Sequence, residues 1–456
     1  MNIVLLSGGS GKRLWPLSND VRSKQFIKIF HPENEQTTDN FDKGEIARKD
    51  GHNLESMVQR VYSQIKKIDS DANITIATSK TQVSSIHNQL GDKVSVCVEP
   101  TRRDTFPAIA LAAAYLSDKL GIDRDDAVII CPVDPYVDDS YFECFKELDK
   151  MVKSGDYKLN LMGVEPTYPS EKYGYIQPET KDHISKVSAF KEKPDVTTAQ
   201  KYIDEGALWN CGVFAFKLGY ILDRAHELID FKDYQDLYDH YGDCRKISFD
   251  YAVGEHEKSI GVVRFSGSWK DIGSWNTFAE EMHEKIIGKA DMDDTCENSN
   301  IVNELNIPII AMGLKDMIVA ASNDGILVAD KAQSSYIKPF VEKLDNKVRY
   351  AEKSWGSFTI VDIQDKAMVI RIVLLPEHKL HYHSHDHRDE VWTVMNGEGT
   401  VILDGVKTEI KPGSVVSIKA GQKHTVIAKT ELVINEVQIG DEISVEDKTK
   451  YDFPEV

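Results

Sequence analysis

Two stretches of the 456-residue chain hold residue types that could do chemistry. The first is "LLSGGSGKRLWPLSNDVRSKQF", residues 5–26. In it Gly8, Gly9 and Gly11 precede Lys12 and Arg13, and Lys24 follows after a short loop. Glycines let bare backbone N–H groups approach a ligand, and cations beside them neutralise phosphate. Two common phosphate loops are excluded. A Walker loop needs a glycine where Leu6 stands and a hydroxyl where Arg13 stands. A dinucleotide loop needs a third glycine where Leu14 stands.

The second stretch is "HKLHYHSHDHRDEVW", residues 378–392, with five of the fourteen histidines. His383, His385 and Glu390 stand close in sequence, and His424 follows Gly421 by three residues. Three imidazoles and one carboxylate suit zinc, iron, nickel or manganese. Alternation on a strand would put His381, His383, His385 and His387 on one face.

These residues need elements to position them. "NIVLLS" (2–7) is a short apolar run that ends at the glycines, as a buried strand entering a phosphate loop would. "NITIAT" (73–78), "VSVCVE" (94–99), "AVIICPV" (127–133) and "LNLMGV" (159–164) read as further strands. Helical patterns such as "LESMVQRVYSQIKKI" and "PAIALAAAYLSDKL" separate them. Strands alternating with helices predict an open, mostly parallel α/β sheet, with ligands at the strands' C-terminal ends. Residues 31–53 are polar and predict a surface loop. From about residue 351 the chain reads as many short strands with glycine turns, which predicts a β-sandwich or barrel. The expected domains are 1–290, a small β connector at 291–345, and 346–456.

Composition narrows the partners. A net charge of −19 argues against a nucleic-acid or anionic-membrane surface. No apolar run reaches the roughly 18 residues of a membrane span, and "NIVLL" is too short for a signal-peptide core. The six cysteines form no CxxC pair, which predicts free thiols in a reducing compartment. A cytoplasmic homo-oligomer is expected.

The first stretch resembles the sugar-nucleotide pyrophosphorylases, and more narrowly the mannose-1-phosphate guanylyltransferases, which carry "SGGSGTRLWPLSR" and then "PKQF". Lys12 replaces their threonine and Ser23 their proline. The resemblance continues through "EPTRRDTFPAIALAA" (99–113), with Asp104 for asparagine and Phe106 for alanine, and through "CPVDPYV" (131–137). "EKYGYIQ", "FKEKPD", "LWNCGVFAF", "ISFDYAV" and "GSWKDIGSW" extend it to residue 275. It implies a Rossmann-like mixed sheet and the reaction of GTP with mannose 1-phosphate to give GDP-mannose and pyrophosphate. By resemblance, Ser7, Gly8, Gly9, Gly11, Lys12, Arg13, Glu99 and Asp104 face the nucleotide. Arg13 and Lys24 neutralise the triphosphate, while Asp134 and Asp271 hold Mg2+. Lys193 holds the sugar phosphate, and Gly174, Glu192 and Asn210 read the sugar hydroxyls. Two alternatives stay open: another hexose or heptose 1-phosphate or NTP, and an inactive sugar-nucleotide-binding regulator.

The histidine stretch fits the cupin spacing HxHx4E. It resembles the type II mannose-6-phosphate isomerases, which interconvert fructose 6-phosphate and mannose 6-phosphate. Their "QxHHHRAEHW" reads "HSHDHRDEVW" here, and both arginines of their C-terminal "RxEDxYGR" are missing from "VEDKTKYDF". An active isomerase, a cupin for another sugar phosphate and an assembly module all remain open.

Overall fold

A computed structural model describes residues 1–9, 12–19, 21–30, 54–282, 284–344, 348–444 and 446–453. Gly11 and the polar segment 31–53 lie outside the described residues. The chain divides into two compact units. One holds Met1–Arg13 and most of the chain from Ser23 to Glu284; the other holds Leu14–Arg22 and the chain from Lys285 onward.

The first unit is built on nine strands: β1 (Asn2–Ser7), β2 (Asn73–Ser79), β3 (Ser95–Glu99), β4 (Ala127–Pro132), β5 (Leu159–Val164), β6 (Gly174–Pro178), β7 (Ile184–Lys191), β8 (Leu208–Lys217) and β9 (Ile260–Phe265). They lie side by side in the order β3-β2-β1-β4-β8-β5-β9-β7-β6. Helices cover both faces of the central strands, which bury both sets of side chains, whereas β7 at the far side alternates buried and exposed residues. On β1, Ile3 and Leu5 enter one core and Val4 the other; on β4, Ile129 and Cys131 oppose Val128 and Ile130. Continuous apolar runs are what such strands require. The helix Met57–Ile68 starts at a capping box in which Ser56 and Gln59 satisfy each other's backbone N–H groups. The helix Thr105–Asp118 is apolar nearly all round and is buried.

The sheet is mixed rather than mostly parallel. β1 runs parallel to β2 and β4, β2 to β3, and β5 to β9. β8 runs antiparallel to β4, β5 and β6, and β7 to β6 and β9. An apolar run buried on both faces reads the same in either direction. The connections set the direction, and the hairpin-like passage through β6 and β7 brings the chain back reversed.

The second unit opens with a four-stranded sheet of Ile286–Gly288, Asn300–Asn303, Met317–Ser322 and Gly325–Asp330. The segment Leu14–Arg22 is tied to this unit: Ser322 Oγ donates to the Pro16 carbonyl at 2.6 Å, and Arg22 pairs with Glu304 at 2.8 Å. Two antiparallel sheets of six and five strands follow, forming a β-barrel. Its strands Arg388–Asn396 and Leu432–Gly440 alternate buried and half-buried residues. One end of the interior is therefore apolar (Trp392, Val394, Leu432, Ile434), and the other is polar (Arg388, Glu390, Glu436, Gln438).

Candidate functional site

β1 ends at Ser7, whose buried carbonyl accepts from Gln25 Nε2 and Thr78 Oγ1, both at 3.2 Å. The chain then turns at Gly8 and Gly9. Gly9 has φ of 140°, a conformation L side chains rarely adopt. The Gly9 carbonyl is held by three donors, Ser23 Oγ at 2.8 Å, Arg102 Nη2 at 3.0 Å and Gln82 Nε2 at 3.4 Å. Its carbonyl oxygen is thus pinned to the protein. Lys12 and Arg13 follow in a single 3-10 turn, with Arg13 exposed.

Lys24 lies between two carboxylates. Its Nζ is 2.8 Å from Asp134 Oδ2 and 3.6 Å from Asp271 Oδ1, and it donates to the Ile272 carbonyl at 3.1 Å. A short two-stranded ladder makes this possible: Trp269–Asp271 pairs antiparallel with Pro135–Val137, and Asp271 faces Pro135. That register puts Asp271 beside Asp134. Burial by itself would lower the Lys24 pKa, but Asp134 and then Asp271 outweigh it and hold the ammonium above its ordinary value. For Asp271, burial raises the carboxyl pKa more than Lys24 lowers it.

Asp134 and Asp271 line a cavity of about 230 Å³ together with Gly174, Glu192, Asn210 and Asp250. A Cβ at Gly174 would come within 2.4 Å of Glu192 Oε2 and would displace that carboxylate. Lys193 Nζ bonds Glu192 Oε1, while Glu192 Oε2 is buried with no hydrogen-bond partner among the described residues. Asn210 Nδ2 donates to Asp250 Oδ1 at 2.7 Å, and Asn210 Oδ1 accepts from the Gly212 N–H at 3.1 Å.

Glu99 ends β3 and is buried near Gly8; a Cβ on Gly8 would lie 3.8 Å from Glu99 Oε1. Tyr241 Oη donates to Glu99 Oε2 at 3.0 Å, yet burial still raises the carboxyl pKa. Asp104 has φ of 72° and caps the helix Thr105–Asp118 by accepting from the Thr105 N–H at 2.8 Å.

The barrel gathers a second group. The nearest ligand atoms of His383, His385 and His424 lie within 4.8 Å of one another. His383 pairs with His424 across adjacent strands. Each Nδ1 meets a backbone carbonyl: His381 O at 2.6 Å for His383, Gln422 O at 2.9 Å for His424, and Asp447 O for His385. A carbonyl only accepts, so each Nδ1 carries the proton and each Nε2 offers a lone pair. His424 Nε2 is buried without a hydrogen bond, whereas His385 Nε2 accepts from Arg388 Nη2 at 3.0 Å. Burial, with Lys448 second, pushes His383 down to about 2, so its ring is neutral. Glu390 sits against the triad, 3.1 Å from His385 Nε2 and 3.3 Å from His424 Nε2. Arg388 Nε and Trp392 Nε1 hold it at 3.0 and 3.1 Å. His381 and His387 do not share this face; both are exposed. The strand is only His383–Ser384, too short to carry the alternation further.

Residues 2–48 and 49–286 match the family model described as Nucleotidyl transferase. The chain belongs to the nucleotidyl transferase family. Residues 341–452 match a second model, described as Mannose-6-phosphate isomerase C-terminal. A Salmonella montevideo protein named mannose-1-phosphate guanylyltransferase is 26% identical over 499 residues, spanning 98% of this chain and 98% of its own. An Escherichia coli protein of the same name is 26% identical over 490 residues, spanning 98% and 97%. A crystal structure described as mannose-1-phosphate geranyltransferase from Thermus thermophilus aligns with a TM-score of 0.60 at 24% identity, covering 75% of this chain and 98% of that one. At that identity the likeness is one of fold.

Some residues of this transferase's sites were not foreseen. Asp250 and Arg102 carried no signal beyond their places in "ISFDYAV" and "EPTRRDTFPAIALAA", and Tyr241 and Gln82 carried none. Each acts through contacts with residues far away in the chain. Arg388 was legible only as a charge beside the histidines.

Proposed function

We propose that this chain joins GTP to mannose 1-phosphate, releasing pyrophosphate and forming GDP-mannose. The arrangement that carries the reading is Lys24 between Asp134 and Asp271 at the edge of a polar cavity. The names of the full-length relatives support the choice of substrates.

A phosphate monoester dianion is already a nucleophile, so attack on the α-phosphorus needs no strong base. The obstacle is charge, because two anions must meet and the leaving pyrophosphate gains charge. Arg13 and Lys24 neutralise the triphosphate and the departing pyrophosphate. Lys193 holds the sugar phosphate, and Glu192, Asn210 and the Gly174 backbone orient its hydroxyls. Ser7, Gly8, Gly9, Lys12, Glu99 and Asp104 surround the nucleotide. Asp134 and Asp271 offer the oxygen donors Mg2+ prefers, and both line the cavity. When bound, Mg2+ would supply positive charge against the phosphate oxygens.

In the barrel, His383, His385 and His424 would hold a divalent transition metal with Glu390, since their ligand atoms lie within 4.8 Å of one another beside that carboxylate, with Arg388 Nη2 giving up its bond to His385 Nε2. Such an ion polarises a substrate oxygen when bound. The functional division is 1–290, 291–345 and 346–456, in a cytoplasmic homo-oligomer.

The test is a matrix of the four NTPs against hexose and heptose 1-phosphates, with magnesium and mass detection of products. GDP-mannose as the dominant product is expected. A different dominant sugar nucleotide, or no product from any pair, overturns the assignment. Fructose 6-phosphate on the same plate reads isomerase activity directly.

A further inference from the structure

Asp250 is a half-buried carboxylate with no role in the reaction as derived so far. It opens a wide π-type turn, Asp250–Gly254, a rare geometry that recurs at functional sites. Its side chain lines the same cavity as Asp271, Gly174, Glu192 and Asn210. Burial first, and the Glu192 carboxylate second, push Asp250 up to about 6. Two acidic groups thus share one small cavity and compete for the same donors.

The protein supplies few of those donors. Asn210 gives one N–H to Asp250 Oδ1, and Lys193 reaches Glu192 Oε1. Glu192 Oε2 has no donor among the described residues. A buried carboxylate oxygen without a donor costs free energy that a ligand donor recovers. The ligand part that fits is neutral and rich in O–H groups. A phosphate would be repelled by both carboxylates, and a purine base offers fewer donors. Asn210 already has Oδ1 on the Gly212 N–H and one amide hydrogen on Asp250, so little of it remains to discriminate between sugars.

From this we infer that Asp250 is a sugar-specificity residue: with Glu192 it accepts hydrogen bonds from hydroxyls of the hexose ring of a sugar 1-phosphate. The inference rests on the nucleotidyltransferase reading and names a determinant of its sugar selection. A site built to pair a hydroxyl rejects the analogue that lacks it, because its own acceptor is then left unpaired.

The experiment is steady-state kinetics of the full chain and of Asp250→Asn and Asp250→Ala, varying mannose 1-phosphate and GTP separately. Singly deoxygenated mannose 1-phosphates serve as further substrates. Both variants should raise KM for mannose 1-phosphate by about 10–100-fold, with KM for GTP within about twofold. They should also narrow the preference over the analogue deoxygenated at one ring position. An unchanged sugar KM overturns the inference, and so does an equal rise in both KM values, which marks a purely structural residue. Failure of the transferase reading looks different, because the wild-type chain then makes no sugar nucleotide. In that case calorimetry of mannose 1-phosphate with wild type and Asp250→Asn reads the same contrast, and equal affinities overturn it.

Discussion

Lys24 Nζ stands 2.8 Å from Asp134 Oδ2, and the second carboxylate, Asp271, lies 3.6 Å away on the same ammonium. The three residues come from separate parts of the chain, and one short ladder registers the two acids. A cation fixed between two acids is preorganised, so it need not be reoriented when phosphate charge develops.

Lys24→Ala should therefore lower kcat/KM for pyrophosphate release by about 10²–10³-fold. Asp271→Ala should abolish turnover while metal-free GTP binding stays within about threefold. Pyrophosphate release and equilibrium titration check the two statements. Turnover of Asp271→Ala within threefold of wild type would remove Asp271 from the machinery.

Gly174→Ala tests the tight approach of backbone and acid. The new Cβ would stand 2.4 Å from Glu192 Oε2, whose carboxylate is already held by Lys193. KM for the sugar phosphate should rise about tenfold while KM for GTP holds. Steady-state kinetics with each substrate varied in turn decides it.

Asp250 predicts a pH-dependent stability. Its proton is bound more tightly folded, with a pKa of about 6, than at the ordinary 3.8. The groups facing it are Glu192, Lys193 and the Asn210 amide. Ionised Asp250 thus costs stability. The cost is small below pH 4, grows between pH 4 and 6, and is complete above pH 6 at about 3 kcal/mol. Asp250→Asn should stabilise the first unit by up to that amount at pH 7.5, and by about half as much at pH 5. Urea unfolding at the two pH values measures it. An equal effect at both would remove the titration argument.

In the barrel, Trp392→Phe deletes the donor to Glu390 Oε2 while keeping an aromatic ring in a fully buried place. Metal affinity should fall about 10–100-fold, as it does when a ligand's supporting bond is lost. His424→Ala should reduce bound metal to below about a tenth of the wild-type ratio. Elemental analysis after dialysis against a competing chelator reads both.

Most of the local structure was legible from residue order. The apolar runs at 2–7, 73–78, 94–99, 127–133 and 159–164 each became a strand, because burial on both faces leaves few polar positions. The histidines of the barrel were legible from their spacing, and His383, His385 and His424 do gather, although His385 lies just past the end of the two-residue strand. The spacing of Gly8 and Gly9 marked the tight turn at the end of β1, where Gly9 takes a φ of 140°. The motif "LWPLS" read as part of that loop, yet Leu14, Pro16 and Leu17 are buried and belong to the second unit. Conformational and packing demands both favour the same few residue types, so the motif by itself does not separate them.

The rest required chain segments distant in sequence to meet. β8 is antiparallel because connections, not side-chain patterns, choose a strand's direction. His381 and His387 left the triad because the two-residue strand ends before alternation can include them. Asp250 joined this cavity only when folding brought it, half-buried, beside Glu192, and that partial desolvation with the Glu192 charge is also what raises its pKa. Residue type and spacing set which chemistry is available, because they specify charge, donors and local geometry. Register and burial set which of those groups share a cavity, because Coulomb and desolvation energies depend on distances that residue order does not contain.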